Sequence, residues 1–141
     1  MKKKIILVMG LSGAGKSFLS IRLAKLLNAA WINADKVRKQ YNDWDFSLEG
    51  RIRQAKRMKK IALEVVKKNK NAIVDFICPT AKTRKDFGAD YIIWVDTITE
   101  SKYADTNQMF EKPKKYDFRV TSKEADKWSI EIFKEIQKIF N

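Results

Sequence analysis

The chain has 141 residues, 45% of them hydrophobic, enough to build one domain around a packed core. It carries no histidine and a single cysteine, Cys78. That excludes His-based acid–base catalysis, zinc chemistry and an intrachain disulfide. Thirty Lys and Arg against 17 Asp and Glu give a net charge of +13, which suits either a polyanionic partner or, as the reading preferred at this point, a solvated surface of helical lysines.

Residues 1–141 read as a single domain, with no Pro/Gly/Ser-rich linker, repeat or low-complexity tract. The basic start, Met1-Lys2-Lys3-Lys4, precedes an apolar stretch of only about five residues, too short for a secretory signal. No apolar run is long enough to span a bilayer, so the expectation is a cytoplasmic protein without membrane partners, in keeping with the lone cysteine. Lys4–Met9 predicts a buried strand. Gly10-Leu11-Ser12-Gly13-Ala14-Gly15-Lys16-Ser17 then matches the phosphate-binding pattern G-x-x-x-x-G-K-[ST]. An amphipathic helix is expected from about Lys16 to Leu27, so the loop joins a strand end to a helix start. There, free backbone N–H groups and the positive end of the helix dipole face an anion. The glycines admit phosphate oxygens to the backbone, Lys16 reaches the β- and γ-phosphates, and the Ser17 hydroxyl is a Mg²⁺ ligand. The loop predicts a nucleoside triphosphate with Mg²⁺.

Ala30–Asn33 predicts a second strand, Ala34–Arg38 the start of a short helix or turn, and Asn42–Phe46 a loop. Ser47 caps a long helix to about Asn69, whose apolar positions Ile52, Ala55, Met58, Ala62, Val65 and Val66 recur at helical spacing. Ala72–Ile77 is a third strand. Its Asp75 resembles the acidic end of a second nucleotide-binding strand, able to hold Mg²⁺ through water, and equally a capped strand end. Thr80–Asp86 follows Pro79 as a short helix, Tyr91–Val95 is a fourth strand, and Asp117–Val120 a weaker fifth. Ser122 caps a last helix with Ala125, Trp128, Ile132, Ile136 and Ile139 on its core face. The alternation predicts an α/β, three-layer fold of the P-loop NTPase and kinase type, with about five parallel strands and helices on both faces. Ligands bind such sheets at the carboxyl ends of the strands. Gly10–Ser17, Asn33–Arg38, Asp75–Pro79 and Asp96–Thr97 all fall there and converge on one site.

With these blocks in order, the chain resembles the adenylyl-sulfate kinases, P-loop enzymes that phosphorylate the 3′-hydroxyl of adenosine 5′-phosphosulfate. Residues 10–17 reproduce the family's Gly-Leu-Ser-Gly-[Ala/Ser]-Gly-Lys-Ser. Asn33-Ala34-Asp35-Lys36-Val37-Arg38 parallels its Asp-Gly-Asp-Asn-[Val/Ile]-Arg. Phe46-Ser47 with Arg51, Gln54 and Arg57 parallels its Phe-Ser…Asp-Arg, Asn-Ile-Arg-Arg block. Asp75-Phe76-Ile77-Cys78-Pro79 parallels its Ser-Phe-Ile-Ser-Pro, with Arg84 downstream, and Val95-Asp96-Thr97 its Val-Asp-Thr. The resemblance runs from about residue 4 to about 121.

The resemblance implies that Asp35 orients the acceptor hydroxyl, accepts its proton and helps hold Mg²⁺, with Lys16 as the second catalytic group. It implies that Arg38 and Arg51 grip the sulfate–phosphate end of the acceptor and that Phe46 and Phe110 sandwich its adenine. Gln54, Ile77 and Cys78 are the remaining acceptor contacts. A guanidinium fork and a carboxylate suit those two tasks chemically. The kinase resemblance makes ATP and Mg²⁺ the expected cofactors. A small nucleotide is then the partner expected, with nucleic acid less favoured and a homodimer left open. The chain also departs from the family: Asn33 replaces an aspartate, Gln54 an asparagine and Cys78 a serine. Where the family carries a basic lid, Glu100–Gln108 holds one basic residue, Lys102, with Lys112, Lys114 and Lys115 as partial replacements. Two alternatives therefore stay open: a polynucleotide or other small-metabolite kinase of the same fold, and a nucleotide-binding module with little turnover.

Overall fold

Residues 2–140 are described in a computed structural model; Met1 of the basic start and Asn141 lie outside the described residues. Five strands form one parallel sheet in the order β2-β3-β1-β4-β5: β1 Ile5–Met9, β2 Ala30–Asn33, β3 Ala72–Asp75, β4 Tyr91–Val95 and β5 Phe118–Val120. The helices are α1 Lys16–Leu27, α2 Ala34–Tyr41, α3 Leu48–Lys67, α4 Ala81–Phe87, α5 Ala104–Met109 and α6 Ala125–Phe140.

β1 is central, and its five residues are all buried because both faces are covered. Ile5, Leu7 and Met9 point into one core with Met58 and Ala62 of α3 and Phe87 of α4. Ile6 and Val8 point into the other, with Leu19 and Leu23 of α1 and Ile132 and Ile136 of α6. That period of two divides the apolar residues of a single strand between two layers. The three-layer α/β architecture follows. No helix among the described residues is long and apolar enough to cross a membrane.

Several boundaries and faces differ from the sequence expectation. Lys4, Ile77 and Asp117 lie just outside their strands, and α2 continues to Tyr41. Ile52 is exposed, because it sits about 100° around the helix from the stripe of Ala55, Met58 and Ala62. Ile139 is exposed in the last turn of α6, where Ser129 instead joins Ile132 and Ile136 on the buried side. Ser122 does not cap α6. Its Oγ accepts from Trp128 Nε1 (2.9 Å) and donates to Glu124 (2.6 Å), and the helix opens at Ala125. Ser47, by contrast, accepts from the Gly50 N–H at 3.2 Å and opens α3.

One turn is closed to any side chain. Gly10, at the end of β1, has φ +150°, and a Cβ there would lie 2.5 Å from the Val95 carbonyl oxygen of β4. Gly10→Ala is therefore expected to cost about 2 kcal/mol of stability through backbone strain and the clash. The check is urea unfolding, read as a lower midpoint with an unchanged slope.

Candidate active site

The loop between β1 and α1 is shaped by glycines in the left-handed region, Gly13 at φ +85° and Gly15 at φ +102°. Thr97, just beyond β4, pins it by donating from Oγ1 to the Ala14 carbonyl at 2.6 Å. Lys16 folds back over the loop and donates to the Leu11 carbonyl at 2.9 Å. Burial pulls its ammonium below the ordinary lysine pKa, opposed by the nearby Asp75 and Asp35. The loop thus holds a cation above a ring of main-chain amides, an arrangement complementary to phosphate.

Behind the loop the strand ends meet. Asn33 and Asp75 are cross-strand neighbours in the β2–β3 register. The Asp75 carboxylate accepts from Ser17 Oγ (2.9 Å), from Trp31 Nε1 (3.2 Å) and from Asn33 Nδ2 (3.4 Å). Burial raises its pKa, while Lys16 and the three donors oppose the rise. Asn33 also caps α2, its Oδ1 accepting from the Lys36 N–H at 3.1 Å. No cluster of three or more His, Cys, Asp or Glu stands ready for a metal among the described residues. One hydroxyl beside one carboxylate nevertheless matches how Mg²⁺ is usually held, by few protein oxygens with phosphates and waters completing the shell.

These groups open onto a cleft of about 310 Å³ that reaches from the loop to α2, α3 and the β3–α4 turn. Of the residues singled out from the sequence, Ser12, Gly13, Gly15, Lys16, Ser17, Asp35, Arg38, Phe46, Arg51, Gln54, Asp75, Ile77 and Cys78 all line it. Asp35 stands in the first turn of α2, exposed, and its carboxylate makes no hydrogen bond or ion pair among the described residues. Arg38 and Arg51 are buried. Arg38 donates to the Asp43 and Asp45 carbonyls (3.1 and 3.2 Å), and Arg51 to the Phe46 carbonyl (2.9 Å) and Thr106 Oγ1 (2.7 Å). The Phe46 ring lies against both, 4.2 Å from the Arg38 guanidinium carbon and 5.5 Å from that of Arg51. Among the described residues neither arginine has a carboxylate in salt-bridge range, and burial lowers the pKa of each. For Arg38 the charge of Arg51 adds to that effect.

Gln54 donates to the Ala34 carbonyl at 2.9 Å, and its buried Oε1 has no partner among the described residues. Cys78 is held in the left-handed region at φ +47° and fully buried. Burial pushes its thiol pKa up to about 12, so it contacts the cleft as a neutral wall and not as a nucleophile.

Phe110 does not line the cleft. Its ring packs on the core beneath Arg84, 5.2 Å from the guanidinium carbon, away from the position the resemblance implied. Gly10, Leu11 and Ala14 of the loop also stand back from the cavity wall, Leu11 and Ala14 as buried supports. Lys112, Lys114 and Lys115 are exposed and do not line this cleft. The segment expected to be lid-like contains α5, which has no apolar periodicity to announce it. It is moored instead by Thr106 to Arg51, while Asn107 closes the segment on itself through Ser101. Sequence reasoning also missed Trp31, Phe18 and Lys123. The carboxyl-end rule would have reached Lys123 had it been extended to the weak fifth strand.

Comparison with known proteins agrees with this fold. The family model described as adenylylsulphate kinase matches residues 2–115. The Mycobacterium tuberculosis APS kinase, solved in complex with AMPPNP and APS, is similar with a TM-score of 0.78 at 21% identity, covering 96% of this chain and 98% of that one. A shikimate kinase from Acinetobacter baumannii, solved in complex with shikimate, shares the fold at a TM-score of 0.65 and 16% identity, covering 99% and 96%. A tRNA dimethylallyltransferase from Thermodesulfovibrio yellowstonii is 51% identical over 37 residues, but that segment spans only 26% of this chain and 12% of the transferase. With its phosphate-binding loop intact and most of its length matched by one model, the chain belongs to the adenylylsulphate kinase family of ATP-dependent kinases, which transfer phosphate to a hydroxyl.

Proposed function

We propose that the protein transfers the γ-phosphoryl group of Mg²⁺-ATP to the 3′-hydroxyl of adenosine 5′-phosphosulfate. The observation that carries this acceptor is the pair Arg38 and Arg51, two buried guanidinium groups on the cleft wall with no carboxylate in salt-bridge range among the described residues. Buried charge is costly unless matched. An acceptor bearing its own anionic group supplies the match, and a neutral sugar does not. The aromatic face of Phe46, backed by both arginines, suits a flat base between the anion and the reacting hydroxyl.

In this reading the loop amides and Lys16 hold the β- and γ-phosphates. Asp35, unpartnered across the cleft, orients the acceptor hydroxyl and takes its proton as the bond to phosphorus forms. Ser17, Asp75 and Asp35 are the residues that would hold Mg²⁺, which when bound would neutralise phosphate charge during transfer. The Gln54 Oε1 atom, buried without a donor, offers an acceptor to an N–H or O–H of the substrate.

The test is a panel of acceptors with γ-labelled ATP and Mg²⁺: adenosine 5′-phosphosulfate, AMP, shikimate, gluconate and 5′-hydroxyl oligonucleotides. Label is expected in the phosphosulfate, with AMP a poor second. Label confined to oligonucleotide ends would transfer the assignment to a polynucleotide kinase. No label in any acceptor, with ATP still bound, would favour a binding module.

A further inference from the structure

The loop cleft has a neighbour. A second cavity of about 570 Å³ lies between the loop, the start of α1 and the β5–α6 turn. Among the described residues only Gly15, Phe18 and Lys123 line both spaces, so they mark the passage from one to the other. A nucleotide with its phosphates on the loop and its base in the second cavity crosses this passage at the α-phosphate.

The charges around the passage are uneven. Glu124 is engaged by the Ser122 hydroxyl at 2.6 Å, and Asp126 by Arg22 at 2.5 Å. Both carboxylates nearest Lys123 in sequence are thereby occupied, and Lys123 itself has no hydrogen bond or ion pair among the described residues. Its backbone is nevertheless fixed, because Ser122 is tied to Trp128 of α6 at 2.9 Å and Trp128 packs on Phe118 of β5. Two other cations line the second cavity, but Arg22 is paired with Asp126 and the Lys127 ammonium lies 5.0 Å from the Trp128 ring centre, and neither lines the loop cleft; Lys102 lies 5.3 Å from the Tyr103 ring, and Lys112, Lys114 and Lys115 line neither cavity. Phe18, 67% exposed in the first turn of α1, completes the passage with a bare aromatic surface.

We propose that Lys123 is a nucleotide-binding residue, a cation that clamps the α-phosphate of ATP where it passes from the phosphate-binding loop to the cavity for the base. The β5–α6 turn thereby supplies the charge that the Glu100–Gln108 segment lacks. This assignment rests on ATP being the donor, though not on the identity of the acceptor.

The experiment is equilibrium binding of Mg²⁺-ATP and Mg²⁺-ADP to the full chain carrying Lys123→Met, Lys123→Arg or, as a control, Lys112→Met. Lys123→Met is expected to weaken both nucleotides about tenfold, because both carry the α-phosphate, and to flatten the salt dependence of binding. Lys123→Arg should stay within about threefold of the unaltered protein and Lys112→Met within about twofold. ATP and ADP bound by Lys123→Met as tightly as by the control would overturn the assignment. So would a loss confined to ATP, which would move the contact to the γ-phosphate. An unaltered protein that binds neither nucleotide overturns this inference together with the ATP-dependent reading. One that binds ATP but labels a different acceptor overturns the proposed acceptor alone.

Discussion

Lys16→Met is expected to lower phosphoryl transfer by about a thousandfold or more, the largest loss of any single substitution in this chain. Three features make the residue irreplaceable. Its ammonium sits directly above the loop, held to the Leu11 carbonyl at 2.9 Å, so it is already aimed before a nucleotide arrives. Burial lowers its pKa, and binding a phosphate restores the partner that the cation lacks. Charge grows on the bridging and peripheral phosphate oxygens during transfer, so an interaction here strengthens towards the transition state and acts on kcat. Methionine keeps the length and the packing but removes the charge. Stability should change little, since a partly desolvated cation is itself a cost. The measurement is a pair of assays, single-turnover transfer with labelled ATP and thermal unfolding of the same sample. A variant that retained a tenth of the rate would contradict this role.

Much of this site was legible because its chemistry is local. The loop motif lies within eight consecutive residues, and the strand before it and the helix after it are announced by their own periodicities. α1, β2 and β4 occupy the very spans their sequence patterns predict. What escaped depends on contacts between distant positions. The polar segment around α5 has no stripe to read, and Thr106 is buried only because Arg51, 55 residues earlier, reaches it. Asn33 and Asp75 become neighbours only once the β2–β3 register is known, and then the pairing explains how one carboxylate serves Ser17 from a different strand. Phe110 looked available as an aromatic at a matched position, but core packing and Arg84 had claimed its ring. Lys123 carries no motif at all. Its significance lies in two cavities that meet beside it.

Two carboxylates face the reaction, and they should fail differently. Asp75 is buried and satisfied by three donors, one of them the Ser17 hydroxyl, so it is placed to serve the metal side of the nucleotide. Asp35 is exposed, in the first turn of α2, and among the described residues nothing is bonded to its oxygens. An acceptor hydroxyl entering from the arginine side meets that free carboxylate first. Asp35→Asn keeps the shape and the capacity to accept a hydrogen bond but cannot take the proton away. It is therefore expected to lower kcat by about a hundred- to ten-thousandfold, while leaving the affinity for Mg²⁺-ATP within about threefold, since the loop and Lys16 carry that binding. Asp75→Asn should instead raise the Mg²⁺ concentration needed for half-maximal nucleotide binding, which equilibrium titration reads without any turnover. If Asp35→Asn binds ATP normally and still transfers phosphate at the unaltered rate, the proton leaves by another route and the carboxylate is only the first-turn acid of a helix.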